Sequence, residues 1–151
     1  MSGLGAPAIL YVEDDPDDCL VASMAHRDSG VVNPLVFVGD GEEALEYLRR
    51  TGRHAARVGE AQPGIILLDL NMPGRDGRET LGIVKTDPAL RRIPVVILTT
   101  SSTERDIVTS YDQGANSYIV KPTTSASLVH IFERLSEYWF EVATLAPEVI
   151  P

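Results

Sequence analysis

With one cysteine, Cys19, in 151 residues, no intramolecular disulfide can brace this chain. Its three histidines, His26, His54 and His130, are scattered, and with a single thiol they offer no zinc-ligand spacing. Each reads as a surface or packing residue. Long apolar runs are absent too: nothing approaches the roughly 20 residues of a membrane span, and Met1 to Ala8 has neither a basic start nor a long apolar core. Basic residues are in deficit, with 13 Lys and Arg against 22 Asp and Glu. The formal charge of −9 repels nucleic acid and anionic membrane surfaces, so direct binding to either is disfavoured and a cytoplasmic protein is expected. Nor is there a glycine-rich phosphate cradle. Glu13-Asp14-Asp15 stands after the first apolar stretch, where a dinucleotide or P-loop fold needs exposed amides.

What is present is an alternation of strand-like and helix-like segments. Ile9 to Val12 is followed by Asp15-Pro16-Asp17-Asp18, where Asp15 can cap a helix, proline fits its first position and acids suit its positive end. Leu20, Val21, Met24 and Ala25 recur at helical spacing, and Gly30 is a terminator. Leu35 to Val38 reads as strand two, and Asp40 with Glu43 as a capping pair for a helix ending near Gly52. Thr51 to Gly64 reads as a long surface loop. Strand three runs to Leu68, followed by a loop at Asn71 to Gly74 and a helix around Arg78 to Thr86. Strand four is Val95 to Leu98, with Ser101 and Glu104 as the capping box of the next helix, which ends at Gly114. Strand five is Tyr118 to Val120, and Leu128 through Val142 predict one last helix of about four turns. Five strand-helix pairs without hairpin signals predict an α/β fold with a parallel sheet covered on both faces.

Ligands of open parallel sheets bind beyond the carboxyl ends of the strands. Four chemical clusters sit there: Glu13 and Asp14, Asp69, Thr99, and Lys121. Each alone reads as a cap or a solvated charge, but together they place carboxylates, a hydroxyl and an ammonium in one crevice. The carboxylates repel one another unless a cation offsets them. A hard divalent ion with oxygen ligands suits the site, and Mg²⁺ fits best because it needs few carboxylates, with Mn²⁺ as the alternative.

Four blocks, Val12-Glu13-Asp14-Asp15, Leu67 through Gly74, Leu98-Thr99-Thr100-Ser101 and Gly114 through Pro122, resemble the signature blocks of bacterial response-regulator receiver domains. The match covers about residues 8 to 142, flanked by tails at 1–7 and 143–151. The resemblance implies a flavodoxin-like (βα)5 three-layer sandwich with strand order 2-1-3-4-5, phosphorylated on Asp69 by a sensor histidine kinase or a histidine phosphotransfer protein. It implies Mg²⁺ held by Asp14, Asp69 and the backbone carbonyl of Asn71, with Glu13 acting through water. Lys121 and Thr99 would contact phosphoryl oxygens, and Lys121-Pro122 would be a cis peptide. Asn71 and Ser101 would affect how readily water reaches the acyl phosphate. Thr99 and Tyr118 would form the switch, with Tyr118 turning inward on phosphorylation to reshape the face of helix four, strand five and helix five. Glu13 through Asp18, the Thr99 to Ser102 run and the Tyr138-Trp139 pair are most similar to the small regulators associated with bacterial phytochromes, which makes a bacteriophytochrome the expected kinase.

No output domain fits after residue 142, so the signal is expected to leave through protein contacts. Tyr138, Trp139 and Phe140 exceed what a single core can bury, which predicts a homodimer through the C-terminal helix. Two competing functions remain. Haloacid-dehalogenase-type phosphatases share the aspartate, threonine and lysine but need a second aspartate where Asn71 stands, and an interaction scaffold would retain the fold without the chemistry. The favoured reading is a phosphoryl acceptor rather than an enzyme, one that catalyses at most its own phosphorylation and dephosphorylation.

Overall fold

The structure, a computed structural model, describes residues 5–72 and 76–148. Five strands, β1 (Ile9–Val12), β2 (Leu35–Val38), β3 (Ile65–Leu68), β4 (Val95–Thr99) and β5 (Ser117–Val120), form one parallel sheet in the order β2-β1-β3-β4-β5. The helices are α1 (Pro16–Ser29), α2 (Gly41–Arg49), α3 (Gly77–Thr86), α4 (Glu104–Asp112) and α5 (Ser125–Ser136). This is the flavodoxin-like order expected. Because side chains alternate along a strand, Leu10, Val12, Ile66, Leu68 and Ile97 face one layer, built with α2 and α3. Ile9, Tyr11, Ile65, Leu67, Val96 and Leu98 face the other, built with α1 and α5. Helix capping follows the sequence where a short side chain precedes the helix: Asp15 accepts from the amides of Asp17 and Asp18, Asp40 from Glu43, and Gly30 closes α1 in the left-handed region.

Several expectations are corrected. α1 buries Ala22 and Ala25, not the larger apolar residues; Leu20, Val21 and Met24 are 61%, 43% and 45% exposed. Small alanines let α1 approach α5 closely, and His26 fills the remaining space edge-on to Phe132. α4 is capped by Thr103, which accepts from the Asp106 amide, whereas the Ser101 hydroxyl bonds the Asp106 side chain. The loop after α2 contains a 3-10 turn at Gly52–Arg57. It is held by Arg57, which lies over the Tyr47 ring at 3.6 Å and donates to the carbonyls of Tyr47 and Ala61. All described peptide bonds are trans, that before Pro122 included.

The last helix is also not continuous. α5 ends at Ser136 and widens into a π-helical turn, Glu137–Val142, in which the Ala143 amide donates to Tyr138. This rotation splits the aromatic run: Trp139 and Phe140 pack half-buried on the α1/α5 layer, while Tyr138 stays 53% exposed. Phe140 and Leu145 lie against Gly64 at the amino end of the sheet, leaving no room for a side chain there. Glu148 completes the turn back, pairing with Arg50 at 2.9 Å and accepting from the Gln62 amide.

At the opposite end of the sheet, α3 begins hard against the end of β3. A Cβ on Gly77 would lie 2.0 Å from the Asp69 carbonyl oxygen, a backbone atom that cannot swing aside. Gly77→Ala is expected to cost about 1–3 kcal/mol, read as a lowered urea midpoint with an unchanged denaturant slope.

Candidate functional site

The parallel ladder continues one residue past the strands and fixes the site. The Glu13 amide donates to Val38, Asp69 to Val12 and Lys121 to Thr99, which aligns the first residues after β1, β3 and β5 beside Thr99 at the end of β4. Glu13, Asp69 and Thr99 are buried, at 2%, 5% and 0% exposure. Backbone hydrogen bonding, not side-chain attraction, brings like charges together.

Lys121 answers that repulsion. Its ammonium donates to Glu13 Oε1 at 2.5 Å, Asp18 Oδ2 at 2.8 Å and Asp69 Oδ2 at 3.0 Å, so each of its three protons has a carboxylate. The other Asp69 oxygen, Oδ1, accepts from the Thr99 hydroxyl at 2.9 Å and the Asn71 amide at 3.1 Å. Every expected strand-end residue therefore gathers here except Asp14, whose side chain is exposed. Asp18, read from sequence as a first-turn acid of α1, takes a place in the cluster. Nothing in its spacing announces this, because the contact depends on how α1 leans over the strand ends.

Burial is the main cause that pushes the Glu13 carboxyl up to about 7, against the lowering pull of Lys121 and of the Asp15 amide. Burial also opposes the charge of Lys121, but its bonds to Asp18, Glu13 and Asp69 outweigh it and hold the ammonium protonated. Oxygens of Glu13, Asp18 and Asp69 lie within 4.8 Å of one another. With all three carboxyls ionised, three carboxylates and one ammonium leave two formal negative charges, and an all-oxygen donor set with that charge fits a hard divalent cation.

A second network closes the rim. Tyr118, half-buried, donates from its hydroxyl to the Ser101 carbonyl at 2.8 Å. The Ser101 hydroxyl donates to Asp106 Oδ2 at 2.6 Å, and Arg78 grips both Asp106 oxygens at 3.2 and 3.0 Å. The Ser101 hydroxyl, then Arg78, hold Asp106 below the usual carboxylate range. Arg78 also donates to the Leu70 carbonyl and to Asn71 Oδ1, while the Asn71 side-chain amide reaches the Thr99 hydroxyl. Sequence reading missed Arg78 and Asp106, which belong to different helices. Asn71 itself supplies amides where the phosphatase chemistry would need a carboxylic acid.

A family model described as the response regulator receiver domain matches residues 9–133. Response regulator Rcp1 of Synechocystis is 36% identical over 137 residues, which span 91% of each chain. The phosphorylated cyanobacterial phytochrome response regulator RcpA is 43% identical over 94% of this chain and 99% of its own, with a TM-score of 0.84. The Mn²⁺-bound form of Rcp1 superimposes with a TM-score of 0.81 at 35% identity, over 93% of this chain and 99% of its own. Among the described residues, no helix is long and apolar enough to cross a membrane.

The raised Glu13 carboxyl has a consequence for stability. Between its unfolded value near 4.5 and its folded value of about 7, the folded chain holds a proton that the unfolded chain releases. Its contribution is therefore complete below the unfolded value and lost as pH rises through about 7. In urea titrations without divalent ions, stability is expected to fall by about 1–3 kcal/mol from pH 5 to pH 8. The decline should be absent in Glu13→Gln.

Proposed function

Since the chain belongs to the response-regulator receiver family of two-component signalling, we propose that Asp69 is its phosphoacceptor. The observation that carries this reading is the opposed setting of the two Asp69 oxygens. Oδ1 is held by Thr99 and Asn71 and Oδ2 by Lys121, so the carboxylate is fixed in orientation with its future phosphoryl partners in contact. One Asp69 oxygen attacks the phosphorus of a phosphohistidine; the new O–P bond forms as the P–N bond breaks, and the imidazole leaves with the electron pair. Lys121 then moves its donors from carboxylates to a phosphoryl oxygen, and the Thr99 hydroxyl follows another.

A divalent ion held by Asp14, Asp69 and the Asn71 carbonyl, with Glu13 beside it, would offset the charge of the carboxylates and the incoming phosphoryl group. Mg²⁺ is the proposed ion, with Mn²⁺ able to replace it. The acidic cluster of Glu13, Asp18 and Asp69 and the Mn²⁺-bound Rcp1 relative support a divalent ion at this end of the sheet, to which the exposed Asp14 side chain would have to turn. The chain itself is a phosphoryl acceptor rather than an enzyme that turns over external substrates.

The proposed donor is a sensor histidine kinase of the bacteriophytochrome type, or a histidine phosphotransfer protein, acting in the cytoplasm; the phytochrome regulator RcpA supports the assignment. Output runs from Thr99 through Tyr118 to the face of α4, β5 and α5. That face carries exposed Val108, Tyr111, Val120 and Tyr138 and a groove of about 300 Å³ lined by Ile119, Ile131, Leu135, Tyr138 and Trp139. A second copy of the chain is the proposed occupant, giving a homodimer through the C-terminal region.

Incubation with acetyl phosphate and Mg²⁺, followed by intact mass measurement, is expected to add one phosphoryl group, lost in Asp69→Asn and blocked by EDTA. Lys121→Met should slow the reaction about a hundredfold, the typical effect of losing one preorganised donor. Sustained phosphate release instead would favour a phosphatase. In light scattering the chain is expected at twice its monomer mass, and Tyr138→Ala with Ile131→Ser should return it to monomer.

A further inference from the structure

Arg78, in the first turn of α3, pairs with Asp106 in the first turn of α4 and also reaches the loop after β3. On one side Arg78 reaches the Leu70 carbonyl at 3.3 Å and Asn71 Oδ1 at 3.4 Å, next to Asp69. On the other it grips Asp106 in a two-point fork, and Asp106 in turn anchors the Ser101 hydroxyl, two residues beyond Thr99. The short contacts lie on the Asp106 side and the long ones on the Asn71 side. Arg78 thus bridges α4 and Asn71. Asn71 and Ser101 belong to the two loops that flank the Asp69 carboxylate, and the Asn71 amide already touches the Thr99 hydroxyl that caps Oδ1.

We propose that Arg78 and Asp106 are positioning residues that set how long a phosphoryl group remains on Asp69, by holding Asn71 and Ser101 across the approach of water. The inference rests on Asp69 being the phosphoacceptor. Loss of the group is a hydrolysis: a water oxygen bonds to phosphorus as the P–O bond to Asp69 breaks, the aspartate leaves as carboxylate, and the water protons pass to phosphate and solvent. Neither Arg78 nor Asp106 touches the reacting atoms. Their effect is on the order of the coupling energies seen for networks of this kind, which moves a rate by roughly threefold to tenfold. The pair is partly exposed, and its planar two-point fork fixes geometry even where it adds little stability.

The test is the rate of phosphoryl loss after labelling with acetyl phosphate and Mg²⁺ and removal of the donor, followed by intact mass. Arg78→Gln and Asp106→Asn are each expected to speed loss about threefold to tenfold with an unchanged melting temperature. Arg78→Lys, which keeps the charge but not the fork, should fall between them and the parent. In an Asn71→Ala/Ser101→Ala background, Arg78→Gln should have no further effect. Parent-like loss rates in both single variants, or an undiminished effect of Arg78→Gln in that background, would overturn the inference while leaving Asp69 as acceptor. Failure of the parent protein to take up a phosphoryl group overturns the acceptor reading, and the inference with it. Should Arg78→Gln fail to fold, Asp106→Asn carries the same comparison.

Discussion

Parallel hydrogen bonding forces Glu13 and Asp69 side by side at the end of the sheet, α1 adds Asp18, and among the described residues it is the ammonium of Lys121 that offsets their mutual repulsion. Leaving such buried carboxylates without their partner costs about 3–5 kcal/mol, a large share of a domain's stability. The same bond network is the chemical device. In the proposed function, a lysine whose three donors are all committed to carboxylates has donors to transfer, and a phosphoryl group on Asp69 would present the oxygens that receive them. In that reading stability and readiness to react are two aspects of one charge arrangement, and a divalent ion would add the positive charge that one ammonium cannot supply.

From that cluster the contacts run outward in two directions. Thr99 binds Asp69 at the end of β4, and the same loop carries Ser101, whose carbonyl holds the Tyr118 hydroxyl and whose own hydroxyl holds Asp106. The loop that begins at Thr99 is therefore bonded to β5 through Tyr118 and to α4 through Asp106. Packed elements of this kind respond by shifting between discrete arrangements rather than deforming smoothly. At the other end of the sheet, Phe140, Leu145 and Glu148 fold the chain back beneath the strands, far from the chemistry, and secure the helix that lines the exposed aromatic groove.

Much of this was legible in the sequence. Strand ends, the caps of α1 and α2 and the residues Glu13, Asp69, Thr99 and Lys121 could be read because each depends on local pattern and on the rule that parallel strands gather chemistry at their carboxyl ends. Asp18, Arg78 and Asp106 could not, since their partners lie on other elements and their local roles, as first-turn acids or a helix-surface base, already explain them. Helix α1 shows the same limit from the packing side. Of the apolar residues at helical spacing, Leu20, Val21, Met24 and Ala25, only Ala25 is buried, together with Ala22, and the larger three are exposed. The break after Ser136 is of the same kind: the apolar spacing of a regular helix continues through it, whereas the structure widens there into a π-helical turn and sets Phe140 against Gly64.

If Lys121 is the group that exchanges carboxylates for phosphoryl oxygens, the exchange itself is the most direct observable. A crystal structure of the protein with Mg²⁺ and beryllium trifluoride, a mimic of the transferred phosphoryl group, measures it. The account predicts an adduct on Asp69 with the Lys121 ammonium and the Thr99 hydroxyl each about 3 Å from a fluorine, and with the bonds from Lys121 to Glu13 and Asp18 lengthened or broken. An adduct that leaves Lys121 on all three carboxylates, or no adduct on Asp69, would contradict it.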